Sequence, residues 1–311
     1  MTTERFSELL FGMRSAFQSD QNMIEWATRE FLSDEEIAAA NVREAVIRLA
    51  YDLQAGSYVR CAEEHAESNK RWTKQVAESI EPWVPEAPFS ILEVGVGEAT
   101  TLSGLMSQLK RHSSRSLGID ISFARLEVAS HFLRSKAQSA LLAVASLFRM
   151  PFAENSIDIV YTSNSLEPNG GREQEALEEL LRVARRYVVL FEPDFETASP
   201  EARARMAHHG YVTDLGRAAR SAGAHVVFQK SLDYSKNPMN PTGLWVLEKT
   251  GPGQGSTPSN AMDELPLVCP LSGKPLRNIA DGLLGTKDGL CYPIALGIPL
   301  LAAEHMVLRS P

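Results

Sequence analysis

The chain has 311 residues, 44% of them hydrophobic and 23% charged, and a formal net charge of −8. This composition excludes an intrinsically disordered chain, and the length exceeds what one compact core usually holds. The acidic charge disfavours a nucleic acid as substrate or partner, because it would repel a phosphate backbone.

Neither a secretory nor a membrane-inserted protein is indicated. Acidic and polar residues interrupt the first stretch, MTTERFSELLFGMRSAF, where a signal peptide would need a continuous apolar run. No segment reaches the roughly 18 apolar residues of a membrane span. The cysteines Cys61, Cys269 and Cys291 form no disulfide framework, as is typical of a reducing compartment. We therefore expect a cytoplasmic protein, and the sequence leaves a homodimer open.

The beginning of the chain has a helical pattern. Apolar residues between Ile37 and Leu53 recur at spacings of three and four, and Ser33 and Glu36 form a capping-box signature. These features predict an N-terminal helical cap over residues 1–84.

After Pro85 the pattern changes to short apolar runs that alternate with helical stretches such as 123–137 and 172–184. The strand-like runs are 89–95, 116–122, 141–146, 157–163, 187–193, 225–231 and 244–249. Such alternation predicts an α/β domain over residues 85–250, with a mostly parallel sheet covered by helices on both faces. Only DYSKNPMNPTG separates the last two runs, which predicts an antiparallel hairpin.

The end of the chain forms a separate pattern. Small, polar, Gly and Pro residues predict a linker over 251–263. Residues 264–311 predict a small β-rich domain with too few apolar residues to build its own core. We expect this domain to pack on the main domain or on a partner.

The stretch ILEVGVGEATTL at 91–102 carries the strongest chemical signal. The pattern predicts a strand, a glycine turn and then the start of a helix. Gly95 and Gly97 have no side chain, so a ligand could approach the main chain of this turn. A dinucleotide-binding loop would need Gly or Ala where Thr100 stands, which disfavours that class. Asp120 ends the next strand, where its carboxylate could accept hydrogen bonds from ribose hydroxyls.

This stretch resembles the first motif of class I S-adenosylmethionine-dependent methyltransferases, an acidic residue followed by x-G-x-G-x-G, with Ala99 in place of the third glycine. The resemblance implies a Rossmann-like fold with a seven-stranded sheet and S-adenosylmethionine as cofactor. It also implies that Glu93 holds the methionine amino group, that the glycine turn borders the cofactor and that Asp120 binds the ribose.

A second stretch, VASLFRMPFAENSIDIVYTSNSLE at 144–167, is similar to the methyltransferases of ubiquinone and menaquinone biosynthesis, methyltransferase type 11. Their usual acidic adenine ligand is replaced here by Ser146, so we expect the Ser146 hydroxyl and the Leu147 backbone to receive adenine. YDLQAGSY at 51–58 resembles a helix that caps the cofactor, with Tyr58 as the lid. The expected cofactor site comprises Tyr58, Glu93, Gly95, Gly97, Asp120, Ile121, Ser146, Leu147 and Asn164.

Candidate catalytic residues stand at the ends of the fourth and fifth strands. A carboxylate of Glu167, Glu192 or Asp194 could deprotonate an acceptor hydroxyl, or could simply cap a turn. His209 follows His208 at a helix end, where a histidine either meets solvent or faces an acceptor. The expected catalytic residues are Glu167, Glu192 and His209.

Residues 264–311 also resemble a small zinc-ribbon-like family that includes activator subunits of tRNA and protein methyltransferases. Cys269-Pro270 and YPIALGIPLL at 292–301 carry this resemblance. Ser272 replaces the second cysteine of the signature, and Cys291 and His305 do not complete a tetrahedral zinc site. We therefore expect a degenerate ribbon without a metal.

The sequence supports three alternative hypotheses for the function of this protein. The leading one is methyl transfer from S-adenosylmethionine to oxygen or nitrogen of a small-molecule or carbohydrate-like acceptor, bound between the helical cap and the strand ends. An alternative is an RNA or protein methyltransferase that uses its C-terminal domain to recognise a macromolecule. A third is a non-catalytic S-adenosylmethionine-binding module, since Ala99 and Ser146 depart from the motifs.

Overall fold

The computed structural model describes residues 3–86, 88–249, 267–280 and 282–309. The chain divides into two compact units, Met1–Ser57 and Tyr58–Pro311. The linker predicted for 251–263 lies outside the described residues. Within the described ranges, the helices lack the length and apolar character needed to cross a membrane.

The first unit is helical, as predicted. Its helices are α1 (Thr3–Gln18), α2 (Met23–Trp26), α3 (Asp34–Ala38) and α4 (Ala40–Leu53). The predicted capping box is confirmed, because the Ser33 side chain accepts the Glu36 N–H and the Glu36 carboxylate accepts the Ser33 N–H. Apolar side chains from α1, α2 and α4 form the core of this unit.

The boundary between the units follows the first residue of α5 (Ser57–Glu64). The second unit continues with α6 (Ala66–Ile80) and is built on a seven-stranded sheet. The strands are β1 (Ser90–Val94), β2 (Arg115–Asp120), β3 (Leu141–Val144), β4 (Ile157–Ser163), β5 (Ala184–Pro193), β6 (Ala224–Ser231) and β7 (Thr242–Lys249). Their order is β3-β2-β1-β4-β5-β7-β6. Of these seven strands, β7 alone runs opposite to the other six, which confirms the mostly parallel sheet and the closing hairpin.

Helices cover both faces of this sheet. They are α7 (Thr100–Gln108), α8 (Phe123–Ser135), α9 (Glu173–Val183), α10 (Pro200–His208) and α11 (Leu215–Ser221). Because helices cover both faces, β1 and β4 are buried along nearly their whole length and not at alternate residues. Because β1 runs parallel to both β2 and β4, the carboxyl ends of these three strands lie at one edge of the sheet. Open α/β sheets bind ligands at this edge.

The C-terminal residues form a small antiparallel sheet, as predicted. Its strands are β8 (Arg277–Ala280), β9 (Leu283–Gly285), β10 (Leu290–Ala295), β11 (Ile298–Pro299) and β12 (Val307–Leu308). This sheet is joined to the larger one, since Leu300 pairs in parallel with Val144 and the Leu301 N–H donates to the Val144 carbonyl at 2.7 Å. The C-terminal domain thus covers the β3 edge of the large sheet, which would otherwise expose unpaired backbone groups.

The two sheets also share one apolar core. The C-terminal side chains in the core cluster of β1, β2, β4 and β5 are Leu267, Cys269, Leu276, Tyr292 and Leu301. The C-terminal domain therefore packs on the main domain, the first of the two possibilities that the sequence left open.

This shared core predicts an unequal response to two leucine truncations. Leu301 is fully buried and Leu308 is 77% exposed. We expect Leu301→Ala to lower the free energy of unfolding of the whole second unit by about 2–5 kcal/mol, because it leaves a cavity in the shared core. Leu308→Ala should change it by less than about 0.5 kcal/mol. Urea unfolding followed by circular dichroism measures both, and a separate early transition confined to the C-terminal domain would contradict a shared core.

Candidate functional site

Two buried carboxylates lie at the carboxyl edge of neighbouring strands. Glu93 on β1 is 2% exposed and Asp120 at the end of β2 is 6% exposed. The Gly97 N–H donates to Oδ2 of Asp120 at 2.8 Å, and the Ser122 N–H donates to Oδ1 at 2.8 Å. The structure therefore joins the glycine turn to Asp120. These two backbone hydrogen bonds orient the Asp120 carboxylate at the edge of the sheet.

The two glycines of the turn meet different constraints. Both have a positive φ, +74° at Gly95 and +52° at Gly97. A Cβ on Gly95 would lie 2.2 Å from the Cβ of Ser165, whereas the nearest atom to a Cβ on Gly97 would be Nη1 of Arg125 at 3.5 Å. Gly95 is thus required for packing against the end of β4, a reason that the sequence pattern did not reveal. Ala99 adopts φ +59°, the conformation for which glycine is ordinarily preferred.

Glu93 is held by a side chain that the sequence reasoning missed. Tyr161 lies beside it in the register of β1 and β4, and its hydroxyl donates to Oε2 of Glu93 at 2.8 Å. Burial raises the pKa of Glu93 to about 8; hydrogen bonds from Tyr161 and the Leu102 backbone oppose this rise, and the charge of Asp120 adds to it. The available signal was a tyrosine inside a fully buried strand, where its hydroxyl needs a partner.

Tyr58, the predicted lid, is the second residue of α5. The next residue, Val59, donates its N–H to Oε2 of Glu98 at 2.7 Å, and the guanidinium carbon of Arg125 lies 4.3 Å from the centre of the Tyr58 ring. Glu98 and Arg125 are both buried. They connect the start of α5 to the glycine turn and to α8, and neither was predicted from the sequence.

The predicted adenine-binding residues follow β2 and β3. The Ala145 N–H donates to the Asp120 carbonyl at 3.0 Å, so Ser146 and Leu147 come directly after a residue bonded to the end of β2. Oγ of Ser146 accepts the Phe148 N–H at 3.2 Å and so stabilises the turn that it begins. Ile121, Ser146 and Leu147 are all half-buried.

The carboxyl end of β4 carries the remaining predicted residues of the cofactor and acceptor sites. Asn164 has φ +55° and donates its N–H to the Phe191 carbonyl at 2.8 Å. Glu192 is fully buried and accepts the backbone N–H groups of Ser165, Leu166 and Glu167 at 3.1, 3.2 and 3.1 Å. Burial raises the pKa of Glu192 to about 8, with hydrogen bonds opposing the rise. This geometry makes Glu192 an anchor for the loop after β4.

Glu167 lies in a polar cluster with different surroundings. Nδ2 of Asn240 donates to Oε2 of Glu167 at 2.7 Å, and Tyr211 also hydrogen-bonds to this carboxyl. Burial raises the pKa of Glu167, while these hydrogen bonds and the charge of Arg205 lower it. The ring of His209 stacks on Tyr211, with centroids 5.4 Å apart. The structure therefore brings the candidates Glu167 and His209 together through Tyr211.

Asp194 serves a structural purpose at the end of β5. Oγ of Ser231 donates to its Oδ2 at 2.5 Å, and its N–H donates to the Pro241 carbonyl at 2.8 Å. These bonds connect β5 to both ends of the β6–β7 loop.

The raised pKa of Glu93 predicts a pH-dependent stability difference. The folded protein keeps this proton up to about pH 8, whereas the carboxyl of the unfolded chain loses it near 4.5. Between these values stability falls with pH, by up to about 1.4 kcal/mol for each pH unit. Glu93→Gln removes this loss, so its advantage over the wild type should grow from about pH 5 to pH 8 and then stay constant. Urea unfolding between pH 5 and pH 8 measures the difference in free energy of unfolding between Glu93→Gln and the wild type. Glu63→Gln, at an exposed glutamate, is the control. A Glu93→Gln difference that does not change with pH would refute a buried, protonated Glu93.

Comparison with known proteins gives a family match over the central part of the site. Residues 92–191 match the family model of the methyltransferase domain. The match runs from β1 to β5 and includes the glycine turn, Asp120 and the loop after β4. One curated relative, a UPF0434 protein of Vesicomyosocius okutanii, is 46% identical over 39 residues, which are 12% of this chain and 66% of that protein.

Two solved structures show the same fold at low sequence identity. One is the complex between the Haloferax volcanii Trm112 methyltransferase activator and a methyltransferase, with a TM-score of 0.51 and 17% identity over 65% of this chain and 98% of that chain. The other is magnesium protoporphyrin IX methyltransferase from Synechocystis with bound SAH, with a TM-score of 0.51 and 12% identity over 67% of this chain and 100% of that chain. The second unit thus has the Rossmann-like fold found in methyltransferases.

Proposed function

We propose that this protein is an S-adenosylmethionine-dependent methyltransferase that acts on oxygen or nitrogen of a small-molecule or carbohydrate-like acceptor. One observation carries the proposal: the Gly97 N–H is bonded to Asp120, next to buried Glu93, inside a matched methyltransferase domain. S-adenosylmethionine supplies an activated methyl group, so the protein has to bind and align the reactants.

The residues at this edge fit the cofactor by charge and by donor type. The charge of Asp120 raises the pKa of Glu93, and a cation bound beside Glu93 would lower that pKa and favour the ionised carboxylate, so this buried region favours a ligand with positive charge. S-adenosylmethionine carries an ammonium and a sulfonium. We assign Glu93 to the ammonium and the carboxylate of Asp120 to the ribose hydroxyls. Tyr58 would cover the adenosyl group, and Ser146, Leu147 and Ile121 would border adenine.

Glu167 is our candidate for the general base. Its carboxyl is oriented by Asn240 and Tyr211, and burial raises its pKa towards the working range of a base. Glu192 would position the loop that carries Glu167 without meeting the acceptor, since three backbone N–H groups bind its carboxylate. His209 would border the acceptor through its stack on Tyr211.

Two observations favour a small acceptor over a macromolecule. The formal charge of −8 opposes binding of RNA. The C-terminal domain contributes buried side chains to the main core, which gives it a structural purpose without a macromolecular substrate.

Calorimetric titration tests the cofactor assignment. We expect both S-adenosylmethionine and S-adenosylhomocysteine to bind, and Asp120→Asn to weaken each about 10- to 100-fold, because it removes the charge from hydrogen bonds to the ribose. Asp288→Asn, in an exposed ion pair of the C-terminal domain, is the matched control and should bind normally. A folded wild-type protein that binds neither ligand would disprove the proposed function.

Methyl transfer tests the base and the acceptor class. With S-adenosylmethionine labelled in its methyl group, we expect label in the small-molecule fraction of a cell extract and not in RNA or protein. Glu167→Gln should lower the rate about 100-fold or more while S-adenosylhomocysteine binds as before. Label recovered in RNA or protein would favour the macromolecular alternative, and cofactor binding without transfer to any fraction would favour the non-catalytic one.

A further inference from the structure

The loop between β6 and β7, residues 232–241, is fastened to α6 through Tyr234. Nε2 of Gln75 donates to the Tyr234 carbonyl at 2.9 Å, and the Tyr234 N–H donates to Oε1 of Gln75 at 3.2 Å. The Tyr234 hydroxyl bonds to Ser68, and the guanidinium carbon of Arg71 lies 4.3 Å from the ring centre. These contacts hold the following residues of the loop in place.

Lys236 follows two residues later, and its ammonium is within electrostatic range of Cys61 and of the buried Glu93. Its Nζ donates to Oδ1 of Asn69 on α6 at 3.1 Å. Its ammonium also acts electrostatically on Glu93, and Glu93 acts on it. The side chain as a whole remains exposed, while the protein around the ammonium lowers the pKa of Lys236 by desolvation. α6, which holds Lys236 through Asn69, packs on α7 through Thr73, beside Gly104 and bonded to Gln108. Since α7 is the helix that follows the glycine turn, the loop places a cation on the side of the sheet edge where Glu93 lies.

We propose that Lys236 binds the carboxylate at the methionine end of S-adenosylmethionine, while Glu93 binds the ammonium on the same carbon. This inference rests on the proposed function and adds a residue to its cofactor site. An amino acid end is a zwitterion, and a fixed lysine and glutamate pair complements both of its charges. A lysine that faced the sulfonium or the ammonium would repel the cofactor, whereas the carboxylate is its one anionic group.

Ligands that differ in one group test this assignment. Decarboxylated S-adenosylmethionine keeps the ammonium and lacks the carboxylate. The wild type should therefore bind S-adenosylmethionine at least about tenfold more tightly than the decarboxylated form. Lys236→Met should lose this preference by weakening binding of S-adenosylmethionine alone, and the decarboxylated form should bind as before or more tightly, because a repulsive charge is removed.

Two further variants separate binding from folding. Lys236→Arg should keep most of the preference, and Lys230→Met, a change at an exposed lysine on β6, should leave both affinities unchanged. If Lys236→Met weakens both ligands equally, Lys236 only supports the loop and the assignment is wrong. If it changes neither affinity, the assignment is also wrong, while the cofactor site stands. A folded wild type that binds neither ligand overturns the proposed function together with this inference.

Discussion

The hydrogen bond from the Gly97 N–H to Asp120 is the contact on which the candidate site depends. It joins the turn after β1 to the end of β2, so the two strands present one continuous edge. Glu93 reaches the same edge from β1 and is held by Tyr161 from β4. Three adjacent parallel strands therefore define the site, and their register sets the separation of the groups that would contact a ligand.

Buried carboxylates at this edge have two kinds of partner. Glu192 and Asp194 accept hydrogen bonds from the protein's own loops and hold the ends of β4 and β5. Glu93 and Glu167 are instead oriented by neighbouring side chains, and burial raises their pKa values as it raises that of Glu192. A carboxylate that accepts several backbone N–H groups, as Glu192 does, is suited to support a loop, whereas one oriented by side chains is suited to meet a ligand.

The C-terminal domain stabilises the part of the large sheet that carries Asp120. It pairs with Val144 at the end of β3 and contributes buried side chains to the core beneath the strands. β3 is the outer strand next to β2, so the domain closes the sheet on the side of Asp120. A small domain with few apolar residues thus gains its stability from the larger one and in return protects an exposed strand edge.

The sequence alone determined the chain order of the seven strands of the large sheet and the helical character of the N-terminal residues, because periodicity and turn residues are local properties of the chain. It also placed Glu93, the glycine turn and Asp120 at strand ends, since a parallel sheet puts the end of each strand at one edge. Tyr161, Arg125, Asn240 and Lys236 could not be assigned in this way. Each meets the site through packing between elements far apart in the chain, and a local pattern does not encode which distant element comes near. The tertiary structure alone decided that Gly95 is needed to accommodate Ser165, that Glu192 supports a loop, and that the C-terminal domain packs on β3.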